Sequence, residues 1–288
     1  IISNCQTLEN ILELFAMCRI SGWKELTLDF IPLFETIPDL KKAGDIMKDL
    51  FKNPVYQNHL KERKNKQTVM LGFSDGTKDG GYFMANWSIY KAKEALSELA
   101  TEYGISMAFF DGRGGPPARG GGNTHEFYAS MGDTIQNDDI QLTIQGQTIS
   151  SNFGTLDSSQ FNLEQLLSSG ISNKILNPGK NNLSLEDRAT MEEMADYSYQ
   201  VYQDFKEHDM FIPYLERMST LPYYAKTNVG SRPSKRGKSS SLQFEDLRAI
   251  PFVGSWSQLK QNVPGFYGVG TAINRFAKDG KLADVKQL

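Results

Sequence analysis

Phe109-Phe110-Asp111-Gly112-Arg113-Gly114-Gly115-Pro116-Pro117-Ala118-Arg119-Gly120-Gly121-Gly122 decides how this chain is read. Its opening residues complete the apolar run from Ile105 to Phe110, which reads as a buried strand. Two arginines, Arg113 and Arg119, then stand among six glycines: Gly112, Gly114, Gly115, Gly120, Gly121 and Gly122. Glycines after a strand let backbone N–H groups crowd around an anion, because no Cβ blocks the approach. Arginine forks add bidentate contacts to phosphate or carboxylate. The pattern is neither G-x-G-x-x-G nor a Walker loop, and the plainer reading is a surface loop. What the rest of the chain places around it carries the argument.

Working outward, Thr68 to Phe73 is a second buried strand ending at Ser74-Asp75, and Leu26 to Phe34 a third ending at Glu35. Helical periodicity covers Cys5 to Ile20, Ile37 to about Phe51, a segment opened by Pro54, and Tyr82 to Tyr103, which Gly104 stops. Thr124 to Met131 reads as a helix and Ile140 to Ile149 as a strand or hairpin arm. Leu163 to Met218 is mostly helical, Leu247 to Val253 reads as a short buried strand, and Ser255 to Phe276 as helical around Pro264-Gly265. The basic, serine-rich stretch Ser231 to Ser241 reads as a loop or lid. Strand–helix alternation with polar residues at strand C-termini is the grammar of an α/β barrel or a doubly wound sheet. Glu35, Asp75, Arg113 and Arg248 all fall at or near such ends.

The chain has 288 residues and a formal net charge of −3, which argues against a nucleic-acid binder held by bulk electrostatics. The arginines are local features on a mildly acidic background, which favours a small anionic ligand. Two cysteines, Cys5 and Cys18, suggest neither a disulfide framework nor a metal cluster, and fit a reducing cytoplasm. No run has the length of a membrane span. The carboxylates of Glu35 and Asp75 follow buried strands, where two adjacent strands can hold a hard divalent cation between oxygen ligands. Lys78, three residues after Asp75, can reach an anion at the same place. The plainer readings are a helix N-cap for Asp75 and a solvated lysine for Lys78. His59, His125 and His208 read as helix-surface or helix-end residues, and the stripe Met194, Tyr197, Val201 as core.

Taken in order, these segments resemble the phosphoenolpyruvate carboxylase family. Ile31 to Leu40 is similar to its PLFET segment, Val69 to Gly81 to GYSDSxKDAG, and Phe109 to Gly122 to FHGRGGxxxRGGG. Asn228 to Arg236 resembles GSRPxKR, Leu247 to Trp256 resembles LRAIPWxxxW, and Pro264 to Gly270 resembles LPxWxGxG. The resemblance implies carboxylation of phosphoenolpyruvate by bicarbonate, giving oxaloacetate and phosphate to feed the tricarboxylic acid cycle, with Mg2+ or Mn2+. It implies Glu35 and Asp75 as metal ligands, Arg113 and Arg248 as phosphate-binding arginines, and Lys78 and Arg232 as further cations near substrate. Arg119 matches a mobile-loop arginine that stabilises carboxylate or CO2 and that acidic inhibitors capture in allosteric members. The implied fold is helix-rich α/β, part of a TIM-type (β/α) barrel with large helical extensions.

Residues 1–288 are then one catalytic portion of a larger enzyme. Barrel-derived segments are expected at about 1–155 and 222–288, with a helical insertion at about 156–221. A catalytic histidine and another phosphate-binding arginine are expected upstream, so the chain alone should be inactive. A cytoplasmic homotetramer is the family norm. Departures are Asp111 where the family has histidine, Pro116-Pro117-Ala118 in a loop usually richer in glycine, and Thr143-Ile144-Gln145-Gly146-Gln147 where the family reads TEQGE. Asp111 is expected to have a changed role or to turn toward Arg113. These departures motivate an alternative, a non-catalytic anion-binding or regulatory descendant. A different phosphoryl-transfer enzyme on the same barrel is the third reading.

Overall fold

Four parallel strands lie side by side in the order of the chain: β1 (Leu33–Phe34), β2 (Lys66–Leu71), β3 (Ser106–Asp111) and β4 (Ile140–Leu142). In this computed structural model the description covers residues 1–113, 115–144, 146–176, 179, 182–224 and 243–287. Gln67, Thr68 and Val69 of β2 are buried in succession, as are Met107, Ala108 and Phe109 of β3. Both faces of these strands are therefore covered, which is why they read as unbroken apolar runs rather than as alternation.

Each parallel step needs a crossover, and the sequence supplies helices with clear starts. α1 spans Leu8–Ile20. α2 (Ile37–Lys52) opens on a capping box, with Asp39 N–H donating to Thr36 Oγ1 at 3.3 Å and Thr36 N–H to the Asp39 carboxylate at 3.0 Å. α3 (Pro54–Glu62) starts where Asn53 Oδ1 accepts from Val55 and Tyr56. α4 spans Phe73–Glu102 and is interrupted at Gly81, whose φ of 77° and ψ of 168° suit glycine alone. α5 (Thr124–Ala129), α6 (Gln147–Phe153) and α7 (Leu156–Ile171) follow.

The chain divides into two compact units. The first comprises Ile1–Phe73, Ser88–Gly115 and Gly122–Leu183, and holds the sheet. Its core packs Phe15, Phe30, Tyr56 and His59 ring to ring at 5.3–6.3 Å. His59 is thus a core residue rather than a surface one, and burial holds its pKa below the usual imidazole value. Cys5 and Cys18 are free thiols, and burial, helped by the charge of Asp39, pushes Cys5 up to about 11.

The second unit comprises Ser74–Trp87, Pro116–Gly121 and Ser184–Leu288. It contains α8 (Leu185–Lys206), α9 (Phe211–Met218), α10 (Leu221–Tyr224), α11 (Ala249–Gln258), α12 (Val269–Lys278) and α13 (Leu282–Gln287). Its core is aromatic: Tyr202, Phe211, Phe252 and Trp256 are buried, and Phe205 stacks on Tyr267 at 4.5 Å. No helix among the described residues is long and apolar enough to cross a membrane.

Several expectations are corrected. Of residues 26–32 only Pro32 reaches the β2 backbone, its carbonyl accepting from Met70 N–H at 2.9 Å; it has no N–H to donate, and Ile2 bridges to it as well. Pairing in 140–149 stops at Leu142, because Gly146 turns at φ 61° into α6. The run from Leu247 to Val253 enters helix α11 rather than a strand. Its proline, Pro251, lies in the first turn, where a missing N–H costs no intrahelical bond. The helix expected from Tyr82 does start there, after the break at Gly81, and a further helical segment from Phe73 precedes it. Ser231 to Ser241 lies outside the described residues.

Candidate active site at the strand ends

In the first unit the sheet register sets one row: Phe34 pairs with Leu71, Leu71 with Asp111, and Asp111 with Leu142. The next residues, Glu35, Gly72, Gly112 and Thr143, therefore follow in step at the C-terminal edge. The last three donate their backbone N–H groups across this edge, to Phe34 O at 2.8 Å, Leu71 O at 2.9 Å and Asp111 O at 3.1 Å. A Cβ on Gly72 would stand 3.0 Å from Glu35 Cα and 3.1 Å from its Cγ, and one on Gly112 would stand 2.9 Å from Leu71 O. The glycines after β2 and β3 are thus required by the approach of the neighbouring strand. Buried Glu35 accepts from Asn4 N–H at 2.7 Å through Oε2.

Arg113 leaves this edge buried. It donates to the carbonyls of Gly122 and Asn123, each at 3.3 Å, and to Thr124 Oγ1 at 3.5 Å, while its guanidinium lies 4.3 Å over the Phe127 ring. The arginine ties the far end of the glycine segment back to the strand end. Gly120 and Gly122 take positive φ, 76° and 139°, and Gly115 faces Thr148 Oγ1, which a Cβ would meet at 2.3 Å. Gly114 lies outside the described residues.

Asp111 does not need Arg113 as its partner, contrary to one of the two roles expected for it. Its Oδ2 accepts from Lys93 Nζ at 2.8 Å and from Tyr128 OH at 2.7 Å, with all three residues buried. Burial and then the Asp111 charge push the Tyr128 phenol far above its ordinary range. Lys93 and Tyr128 were not among the expected site residues. The available signal was a lysine on the core-facing stripe of α4, four residues after Ile89 and three before Leu96.

In the second unit Lys78 is buried with its Nζ 4.3 Å from the centre of the Phe244 ring, and its carbonyl accepts from Tyr202 OH at 2.8 Å. The neighbouring Asp79 carbonyl accepts from Gln203 at 3.1 Å and from Lys206. The expected mobile-loop arginine, Arg119, closes a 3₁₀ turn, Pro117–Arg119, and Ser74 Oγ donates to its carbonyl at 3.4 Å. Burial lowers the Arg119 pKa, and the charge of Asp75 opposes that shift, so these two side chains are electrostatic neighbours. Arg248 is the half-buried N-cap of α11. Arg232 lies outside the described residues. Glu35 and Arg113 therefore belong to the first unit, and Asp75, Lys78, Arg119 and Arg248 to the second.

A profile of phosphoenolpyruvate carboxylase matches residues 1–288. The chain belongs to the phosphoenolpyruvate carboxylase family. It is 37% identical over 278 residues to the phosphoenolpyruvate carboxylase of Corynebacterium diphtheriae, covering 96% of this chain and 30% of that protein. The phosphoenolpyruvate carboxylase of Corynebacterium glutamicum is 40% identical over 260 residues, covering 89% of this chain and 28% of the relative. That of Corynebacterium efficiens is 37% identical over 287 residues. The chain thus spans about 30% of the carboxylases it matches. Among the described residues no group of three or more His, Cys, Asp or Glu side chains could hold a metal. For a family that uses a divalent metal this is no misfit, since a small hard cation such as Mg2+ keeps several waters and takes one or two carboxylates. Buried Glu35 and half-buried Asp75 are hard oxygen donors of that kind.

Proposed function

We propose that the longer enzyme containing this chain carboxylates phosphoenolpyruvate with bicarbonate, giving oxaloacetate and inorganic phosphate. The observation that carries this reading is the row Glu35, Gly72, Gly112–Arg113 at consecutive parallel strand ends, in a chain matched throughout by the carboxylase family. Ligands of parallel α/β sheets bind at that edge. The four strands are read as part of a TIM-type barrel, with residues 156–221 as a helical insertion, in a cytoplasmic homotetramer.

Arg113 and Arg248 hold the phosphate of the substrate, with Lys78 and Arg232 beside it. A bicarbonate oxygen attacks phosphorus, the bond to the enol oxygen breaks, and carboxyphosphate and the enolate of pyruvate result. Charge spreads over the equatorial phosphoryl oxygens, which fixed guanidinium groups stabilise without reorganising. Carboxyphosphate releases phosphate and CO2, which Arg119 holds until the enolate carbon attacks it. Mg2+ or Mn2+, when bound by Glu35 and Asp75, supplies Lewis-acid stabilisation of the enolate oxygen.

The full-length protein is expected to form oxaloacetate from phosphoenolpyruvate, bicarbonate and Mg2+, and the 288-residue chain alone to form none. Arg248→Ala in the full-length protein is expected to lower kcat/KM by about 10² or more. Absence of product from the intact protein would overturn the reading in favour of a non-catalytic anion binder.

A further inference from the structure

We infer that Lys93 is a positioning residue that balances the charge of Asp111, so that this acid does not compete with an anionic group at the strand ends for Arg113. This rests on the phosphate role proposed above for Arg113. Asp111 places a carboxylate two residues before Arg113, directly before the glycine that turns the chain. A carboxylate so placed competes with any anionic ligand for the arginine, because an Arg–carboxylate fork has the same geometry as an Arg–phosphate fork.

The structure shows how that competition is met. Lys93 is 2% exposed, Tyr128 4% and Asp111 0%. Lys93 Nζ and Tyr128 OH both reach Asp111 Oδ2, at 2.8 and 2.7 Å. Asp111 Oδ1 is also buried and accepts no hydrogen bond among the described residues. The aspartate thus has a second oxygen able to take a guanidinium, and the ammonium supplies the neutralising charge.

The two cations share an aromatic wall. Phe127 lies 5.3 Å from Lys93 Nζ and 4.3 Å from the Arg113 guanidinium carbon, while Phe109 and Tyr128 face Lys93 at 5.2 and 5.5 Å. Arg113 donates to the carbonyls of Gly122 and Asn123, each at 3.3 Å, beside the same ring. Tyr128 donates directly to Asp111 at 2.7 Å, and the charges of Asp111 and Arg113 act on its phenol in opposite directions. In this low-dielectric setting an uncompensated acid acts strongly on its nearest cation.

The test is calorimetric binding of inorganic phosphate to the full-length protein, alongside oxaloacetate kinetics. Lys93→Gln keeps a donor to Asp111 but removes the charge. It is expected to weaken phosphate about tenfold and to raise KM for phosphoenolpyruvate similarly, with kcat changed less than about threefold. Adding Asp111→Asn to Lys93→Gln removes the unbalanced acid and is expected to restore phosphate affinity to within about threefold of wild type. A purely structural role for Lys93 predicts no such rescue, and a double variant as weak as Lys93→Gln overturns the inference. So does wild-type affinity in Lys93→Gln, or a wild-type protein that binds no phosphate. If Lys93→Gln lacks a cooperative melt, Tyr128→Phe, which removes one donor from Asp111, is expected to weaken phosphate about twofold to fivefold. Unchanged affinity there also overturns it. A wild type that binds phosphate but forms no oxaloacetate sinks the carboxylase reading alone.

Discussion

Lys93 in the sheet unit and Lys78 in the aromatic unit are both buried lysines, and a different kind of neighbour stands beside each. Lys93 is matched by a carboxylate at 2.8 Å, and its charge is consumed inside the fold. Lys78 lies against the face of Phe244 at 4.3 Å, and Lys206 lies 4.7 Å from the same ring. A ring quadrupole attracts a cation without cancelling its charge. The difference separates a lysine whose charge balances an internal acid from one that rests on an aromatic face. Burial alone does not tell them apart; the nature of the partner does.

The comparison breaks most visibly through Lys→Met at each position. Lys93→Met leaves Asp111 buried without its counter-charge and is expected to cost about 3–5 kcal/mol of stability. That loss should appear as a large fall in the thermal midpoint of the full-length protein. Lys78→Met keeps an apolar stem against Phe244 and is expected to cost less, about 1–2 kcal/mol. Yet it is expected to remove about 10² or more of kcat/KM. Equal midpoints for the two variants would erase the distinction.

Phe244→Leu sharpens the second half. It removes the ring beneath Lys78 and Lys206 while keeping an apolar side chain, and is expected to destabilise by about 1–2 kcal/mol. KM for phosphoenolpyruvate should rise as Lys78 loses its fixed orientation, and denaturant melts with steady-state kinetics read both effects.

His59 shows a third way to bury a basic group, by keeping it neutral. Its rings of contact are Phe15, Phe30 and Tyr56, and its Nδ1 has no hydrogen-bond partner among the described residues. The folded pKa is lowered by burial, so the unfolded chain takes up the proton first. Stability from this residue is complete above the unfolded imidazole value of about 6.5 and is lost as pH falls from there toward the folded pKa. His59→Phe is expected to flatten that part of the profile, by the smallest effect of the set. Thermal midpoints between pH 8 and 5 measure it.

The legible parts of the fold were those with one physical explanation. β2 and β3 were found within two residues because a strand covered on both faces is apolar throughout and ends at glycine. The run Leu247–Val253 was misread because a short apolar stretch has no period, and its N-cap, Arg248, makes no side-chain capping bond that would mark a helix start. Glu35 and Arg113 were legible as strand-end residues. Lys93 was not, because its partner lies 18 residues away on another element, and only packing brings helix stripe and strand end together. The substitution at Asp111 was visible, but its compensation was not. That is the usual fate of a pair whose halves each look ordinary alone.

Because β1, β2, β3 and β4 stand in space in the order in which they occur in the chain, each strand finds its partner already made. On a ribosome, every new strand–helix pair can add to a finished edge without waiting for a distant segment or displacing one already seated. The row that carries Glu35, Gly72 and Gly112 is therefore assembled from its N-terminal side, one position per crossover. The Asp111–Lys93 pair is completed as soon as the third strand docks, since the lysine has been synthesised just before it.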